Sequence, residues 1–187
     1  MEQYVTNFCR QVRARSAEHQ VALEALLRNG SFSVAVGLLR QELDSLIRVA
    51  YLSEQGASSQ TARALMADSV NGNQWTTATA NGRYRRITDR EMLDIAAHLG
   101  GWVEIIYLFG CKLIHLSDMH DYEVSDPFAK LSNQTRQEII TYLHDYHGYP
   151  YPDIDQPKFE AYLPKVMQKL IENVTYYVAE IESANSV

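Results

Sequence analysis

The chain has 187 residues, of which 46% are hydrophobic and 21% charged; this composition excludes a disordered protein and predicts one folded domain over residues 1–187. The net charge of −6 is uneven, because residues 1–90 carry 11 basic and 8 acidic side chains whereas residues 91–187 carry 6 and 15. An acidic chain argues against broad electrostatic binding of nucleic acid, although every basic residue of the first half is arginine, the side chain best suited to phosphate.

The first half of the sequence predicts two long helices and a shorter one. Apolar residues recur every three or four positions from Val5 to Leu26 and from Phe32 to Ala50, the pattern of amphipathic helices over about residues 2–29 and 32–54. A short helix is expected over residues 58–68. The polar stretch at about residues 69–87 contains two Asn-Gly pairs and is expected to be a surface loop.

Helix boundaries in the second half are indicated by capping residues and glycines. Thr88 with Glu91 fits a capping box, which predicts that a helix begins there. Gly100 and Gly101 should weaken or bend that helix, and Ser132 is expected to cap a later one. The remaining helices are expected over about residues 102–116, 132–147 and 163–181.

These elements predict an all-α fold, an up-and-down bundle of five to seven helices without a sheet, since no segment shows the period-two alternation of strands. A homodimer is also expected, because Trp102, Phe109 and their neighbours add apolar surface beyond what a thin bundle can cover. The N-terminus lacks a secretory apolar core, and the longest apolar run is interrupted by Glu104 and Lys112. We therefore expect a cytoplasmic protein with no membrane partner.

Cysteines and histidines set limits on metal chemistry. Cys9 and Cys111 lie far apart in apolar segments, which excludes a disulfide framework or zinc ribbon and predicts buried thiols. His115 and Asp118 could share one helix face, as could His144 and His147, so a metal-dependent site in this cluster is an open alternative. The spacing is permissive, and histidines hydrogen-bonded at helix ends are the favoured interpretation. No metal and no cofactor are predicted.

Other polar residues allow both a structural and a functional interpretation. Arg40 and Asp44 on the second helix have the spacing of an ion pair, and Arg40 beside a groove lined by histidine would also hold a phosphate. His19 falls on the apolar stripe of the first helix and is expected to be a hydrogen-bonded core histidine. The tyrosines of residues 142–151 could stack on bases, but packing of a helix end explains them as well and is the favoured interpretation.

Two segments resemble the HEPN superfamily of small helical bundles: Gly37-Leu-Leu-Arg-Gln-Glu-Leu-Asp44 and Cys111-Lys-Leu-Ile-His-Leu-Ser-Asp-Met-His120. The resemblance implies a dimeric, metal-independent ribonuclease of a toxin–antitoxin or phage-defence system, or an inactive relative that binds RNA or nucleotides. The catalytic signature of that family, Arg followed after four to six residues by His late in the bundle, is absent. If a site survives, Arg40 stabilises the phosphorane charge beside Asp44, and His115 or His120 is the general acid/base.

Three hypotheses follow. The first is a HEPN-like domain that binds or cleaves RNA, with RNA or a nucleotide as partner and candidate site residues Arg40, Asp44, His115 and His120. The second is a non-catalytic helical interaction or regulatory protein, antitoxin-like or ligand-binding, with a protein partner. The third is a metal-dependent enzyme that uses the histidines between residues 115 and 147.

Overall fold

The computed structural model describes residues 2–115, 117–122 and 124–186, apart from the side chains of Ala97 and Asp118. It confirms the all-α class. Short 3₁₀ turns occupy Ala96–Leu99, Asp118–His120 and Pro127–Lys130. The helices are α1 Glu2–Arg28, α2 Phe32–Glu54, α3 Gln60–Val70, α4 Asp89–Ile95, α5 Gly101–Ile114, α6 Asn133–His147, α7 Gln156–Glu160 and α8 Leu163–Ala184, and the strands are β1 Thr76–Ala78 and β2 Tyr84–Arg86.

The backbone forms two compact units. The first, unit 1, consists of Met1–Ala17, Asp44–His98 and Ile171–Val187, and the second, unit 2, of Glu18–Leu43 and Leu99–Leu170. None of the described helices is long and apolar enough to cross a membrane. The expected single domain over the whole chain stays a prediction.

Unit 1 buries the apolar stripes that the sequence predicted for its helical segments. Leu46, Ala50 and Leu65 are buried, as are Val174 and Ile181 of α8. Polar links at the rim join distant parts of the chain: Arg13 of α1 forms an ion pair with Glu182 of α8. Burial raises the pKa of the Cys9 thiol to about 11, and the carboxylate of Glu182 adds to this effect. Cys9 is therefore a buried thiol, as predicted.

The segment expected to be a loop, residues 69–87, contains a β-hairpin, so the prediction that no sheet forms is wrong. Its strands β1 and β2 pair antiparallel with Thr76 opposite Arg86 and Ala78 opposite Tyr84. The backbone N–H of Ile87 donates to the carbonyl of Trp75 at 2.9 Å, and both of these side chains are buried. A hairpin of three-residue strands is marginal by itself; its two buried ends anchor it to unit 1.

Unit 2 has a core rich in aromatic side chains. The rings of Phe109, Phe128 and Phe159 lie with centroids 5.1 to 5.2 Å apart. Asp126 organises the adjoining loop, because its two carboxylate oxygens accept from the backbone N–H groups of Phe128 at 2.7 Å and Gln156 at 3.1 Å. The short helix α7, which the sequence did not predict, begins at that second bond.

Predicted helix boundaries are confirmed where capping residues gave the signal. The hydroxyl of Thr88 accepts from the backbone N–H of Glu91 at 3.3 Å, and Ser132 caps α6 through Thr135 in the same way. At Gly100, φ is +89°, a conformation that favours glycine and that an α-helix cannot contain. A separate helix, α5, therefore begins after Gly100, and α4 does not continue through it.

Trp102 and Phe109, two of the residues on which the homodimer was predicted, are buried within the single chain. Trp102 stacks on Tyr142 with an interplanar angle of 8° and a centroid distance of 5.8 Å, and Phe109 belongs to the aromatic core. Neither side chain therefore supplies surface to a partner subunit. Their α5 neighbours Leu108 and Ile114 are exposed, and the homodimer stays a prediction. Cys111, which was expected to be buried, is partly exposed.

Gly110→Ala is expected to destabilise the protein, because a Cβ at Gly110 would lie 2.9 Å from Cβ and 3.2 Å from Cγ of Arg40. Such overpacking costs about 1–3 kcal/mol, against a gain of about 1 kcal/mol in helix propensity. Gly37→Ala is the matched control: Gly37 lies within α2, and a Cβ added there would meet nothing within 4 Å. Urea unfolding should show Gly37→Ala at least as stable as wild type and Gly110→Ala less stable; equal stability of the two variants would contradict the close contact.

Candidate functional site

Arg40, the first residue of the candidate site, packs inside unit 2. Its side chain is 6% exposed, its guanidinium lies over the ring of Tyr107 with Cζ 4.4 Å from the centroid, and its aliphatic stem crosses Gly110. The glycine allows this approach because it has no side chain. Arg40 therefore joins α2 to α5, and its burial is typical of a structural residue.

His120 is held by backbone groups of its own loop. Nε2 lies 2.9 Å from the carbonyl oxygen of Leu113, and Nδ1 accepts from the backbone N–H of Ser117 at 3.3 Å. This network requires the proton on Nε2, which donates to Leu113. Both ring nitrogens thus stabilise the turn that follows α5. His115, at the C-terminal end of α5, is exposed.

Asp44, the remaining candidate, belongs to unit 1 and pairs with two arginines. Its Oδ2 lies 3.0 Å from Nε of Arg48 and 3.6 Å from Nη1 of Arg15. The sequence suggested an ion pair between Asp44 and Arg40, four positions before it. The partner of Asp44 on α2 is instead Arg48, four positions after it. Of the four candidate residues, Asp44 is the one that lines the cleft described next.

A cleft of about 420 Å³ lies within unit 1. One face of α1 contributes Gln11 and Arg15, and one face of α2 contributes Asp44 and Arg48, because residues three or four apart in a helix share a face. The turn after α3 and the hairpin complete the lining. We call this site the arginine cleft and define it by the polar residues Arg15, Asp44, Arg48, Asn73, Gln74 and Arg86.

Trp75 fixes the floor of the arginine cleft. Its indole N–H donates to the hydroxyl of Ser69 at 2.8 Å, and its ring lies 6.0 Å from that of Tyr51 between centroids. The guanidinium of Arg48 lies over the indole, with Cζ 4.9 Å from the ring centroid. Arg48 is thus positioned by a carboxylate on one side and an aromatic face on the other, which limits its conformational freedom.

The electrostatic character of the cleft is cationic. Three guanidinium groups and one carboxylate are found among its described lining residues. A guanidinium has five N–H donors, and the bond from Arg48 to Asp44 engages one of them. By contrast, Arg85, the residue before Arg86 in β2, forms two 2.7 Å bonds with Glu91, and this pairing lowers the pKa of the Glu91 carboxyl. The cleft can therefore bind an anion through arginine forks.

The two histidines of α6 each lie beside another side chain of the same helix. His147 Nε2 lies 2.8 Å from the hydroxyl of Tyr142, and burial, with the charges of Lys169 and Lys165, lowers the pKa of His147 to about 4. His144 lies beside Asp145 on the surface. Among the described residues no group of three or more His, Cys, Asp or Glu side chains could hold a metal ion; the side chain of Asp118 is outside that description.

The tyrosines near the end of α6 mainly pack, as expected. Tyr142 and Tyr149 are buried, and the Tyr149 hydroxyl donates to the carbonyl of Asp153 at 2.8 Å, which holds the connector that follows α6. Tyr146 and Tyr151 are more exposed, and the ammonium of Lys169 covers the first of these rings at 3.7 Å from its centroid.

His19 is the core histidine that the sequence predicted, and the structure adds its partner. Its Nδ1 lies 2.6 Å from Oε2 of Glu42 in the interior of unit 2. The arginine cleft itself was missed. Its signals in the sequence were the exclusive use of arginine in the first half and the proximity of Trp75 to the arginines of residues 83–86.

Comparisons with known proteins add no relative. No protein-family model matches the chain, and no significant match was found among curated proteins or solved structures. The resemblance to the HEPN superfamily accordingly stays a prediction, and the arginine cleft is the feature of the molecule that indicates a function.

Proposed function

We propose that this protein binds an RNA chain and holds the phosphate group of one of its nucleotides in the arginine cleft. The observation that carries the proposal is the convergence of Arg15, Arg48 and Arg86 on one cleft that contains a single carboxylate among its described lining residues. Guanidinium groups present paired N–H donors that match phosphate oxygens, and such charge-assisted bonds are stronger than neutral ones.

The size and lining of the cleft fit this ligand class. A volume of about 420 Å³ lies in the range of sites for small molecules and cofactors, about 300–1,000 Å³. The side-chain amides of Asn73 and Gln74 offer donors and acceptors suited to a sugar or a base edge. Asp44 holds Arg48 and Arg15 at 3.0 and 3.6 Å, so part of the site is already organised before a ligand binds.

The ribonuclease hypothesis is a separate prediction. It requires Arg40 and either His115 or His120 to reach the same phosphate. Arg40 instead covers Tyr107 at 4.4 Å, and the ring nitrogens of His120 bind the backbone at 2.9 and 3.3 Å. Binding at the arginine cleft needs none of these side chains to move.

The test is binding of a labelled single-stranded RNA oligonucleotide, measured by fluorescence anisotropy over a range of salt concentrations. Arg86→Ala should weaken binding at least tenfold, since a hydrogen bond to a charged group contributes about 1.5–3 kcal/mol. Loss of one phosphate contact should also reduce the slope of log affinity against log salt by about 0.7. Arg86 is exposed, so the variant should fold normally.

Arg90→Ala is the matched control, because it removes the same charge from unit 1 at a position in α4 where Arg90 pairs with Asp94 at 2.9 Å. It should change affinity less than threefold. Equal losses for the two variants would mean general attraction between charges, and absence of RNA binding by the wild-type protein would refute the proposed function. Gel analysis of the same RNA after incubation reports on cleavage.

A further inference from the structure

The β-hairpin presents two faces of different character. Side chains alternate along a strand, and residues directly opposite in a pair share a face. The inner face therefore carries Trp75, Thr77, Arg85 and Ile87. On this face Trp75 and Ile87 are buried, and Arg85 binds Glu91. The outer face carries Thr76 opposite Arg86 and Ala78 opposite Tyr84, and all four of these residues are exposed.

Tyr84 is the aromatic residue among the four on this outer face, and 77% of its surface is accessible. It lies two positions before Arg86 on the same face, about 7 Å away along the strand. Arg86 lines the arginine cleft, so the ring stands next to the proposed phosphate site. Its immediate neighbours Thr76 and Ala78 are small, which leaves the ring surface accessible to a flat ligand.

The hydrogen bonds of the hairpin fix the backbone that carries this ring. The Ile87–Trp75 backbone bond of 2.9 Å closes the ladder at one end, and at the other Thr79 binds the carbonyl of Arg83 through its backbone N–H at 2.7 Å and its hydroxyl at 2.8 Å. A ring on such a hairpin, next to bound phosphate, has the two components of single-strand recognition: cations for the backbone and an aromatic face for a base.

We propose that the ligand is single-stranded RNA and that Tyr84 stacks on the base of a nucleotide whose neighbouring phosphate occupies the arginine cleft. The inference rests on the proposed function, which supplies the phosphate contact, and it adds the single-stranded form of the RNA and the contact to a base. A duplex is excluded from this mode because its bases are stacked on each other and are not available to the ring.

The experiment compares three probes of equal length by fluorescence anisotropy: single-stranded RNA, a ribose-phosphate oligomer without bases, and duplex RNA. Wild-type protein should bind the single strand about tenfold more tightly than the abasic oligomer, within the range expected for one base on one aromatic ring. Tyr84→Ala should remove that difference by weakening binding of the single strand, while affinity for the abasic oligomer stays unchanged. Tyr84→Phe keeps the ring and should retain at least a third of wild-type affinity.

Tyr176→Ala is the matched control, since Tyr176 is another exposed tyrosine of unit 1 and lies on α8; it should not change the affinity for any probe. Unchanged binding of single-stranded RNA by Tyr84→Ala, or a preference of the wild type for duplex RNA, would overturn the inference while leaving the phosphate proposal in place. Failure of the wild type to bind the abasic oligomer and the RNA alike would instead refute the proposed function.

Discussion

Replacing His19 with alanine should lower the free energy of unfolding by about 3–5 kcal/mol, because the change leaves the carboxylate of Glu42 in the interior without its histidine partner. The side chain of Glu42 is 0% exposed and that of His19 8% exposed, and the two are joined by a 2.6 Å contact. The loss corresponds to a fall in melting temperature of roughly 6–20 °C for a chain of this size. Urea unfolding followed by circular dichroism provides the measurement.

Two further variants separate the ion pair from simple loss of volume. The double variant His19→Leu/Glu42→Met removes both polar groups, and we expect it to be much closer to wild type than His19→Ala. His144→Ala is the surface control: His144 and Asp145 lie 3.2 Å apart with side chains 72% and 55% exposed, so its effect should stay below about 1 kcal/mol. A His19→Ala variant as stable as His144→Ala would show that Glu42 is satisfied without His19.

The long helices could be predicted from the sequence because each has an apolar stripe that the fold buries. The stripe of α1 included His19, and its position among apolar residues was sufficient to predict burial. The identity of its partner was not predictable, since Glu42 lies 23 positions away and a sequence shows only neighbours within a few turns. Capping residues such as Thr88 and Ser132 gave helix starts for the same local reason.

The hairpin was missed because its stabilisation comes from outside the strands. Strands β1 and β2 have three residues each, and their side chains are exposed or partly exposed, so they show no apolar alternation. Trp75 and Ile87, which do carry apolar surface, flank the strands and were not recognisable as a pair. Two Asn-Gly dipeptides indicated turns, and one of them, Asn81-Gly82, does lie in the hairpin loop, where Gly82 has a φ of +72°.

The roles predicted for the candidate site residues stay a prediction, and the structure places those residues in different surroundings. Arg40 and His120 belong to the segments that resemble the HEPN superfamily, yet each has a packing or backbone role in unit 2. The arginine cleft combines α1, α2 and a hairpin that no local pattern links. Asp44 is the point of overlap, and it acts there as the carboxylate that positions Arg48.

Trp75→Ala should cost about 3–5 kcal/mol of stability, the range for a buried aromatic residue replaced by alanine. The indole is 3% exposed and fills the space between Tyr51, Arg48 and Ser69. Its removal opens a cavity and also releases the start of the hairpin. Trp75→Phe keeps most of the ring but loses the 2.8 Å bond to Ser69, so a loss nearer 1–2 kcal/mol is expected. Chemical denaturation of both variants gives the comparison.

Trp75→Ala is also expected to lower the affinity of the arginine cleft for RNA. The ring of Trp75 supports Arg48, and the strand that begins next to Trp75 pairs with Arg86. Trp75→Ala should therefore also weaken binding of single-stranded RNA. Binding is measured at a temperature where circular dichroism shows the variant to be folded. Trp75→Phe should keep most of that affinity, because an aromatic face remains under Arg48. If Trp75→Ala were destabilised and still bound RNA with wild-type affinity, the hairpin and its arginine would not belong to the binding site. The two measurements therefore separate the contribution of Trp75 to folding from its contribution to positioning the cationic groups.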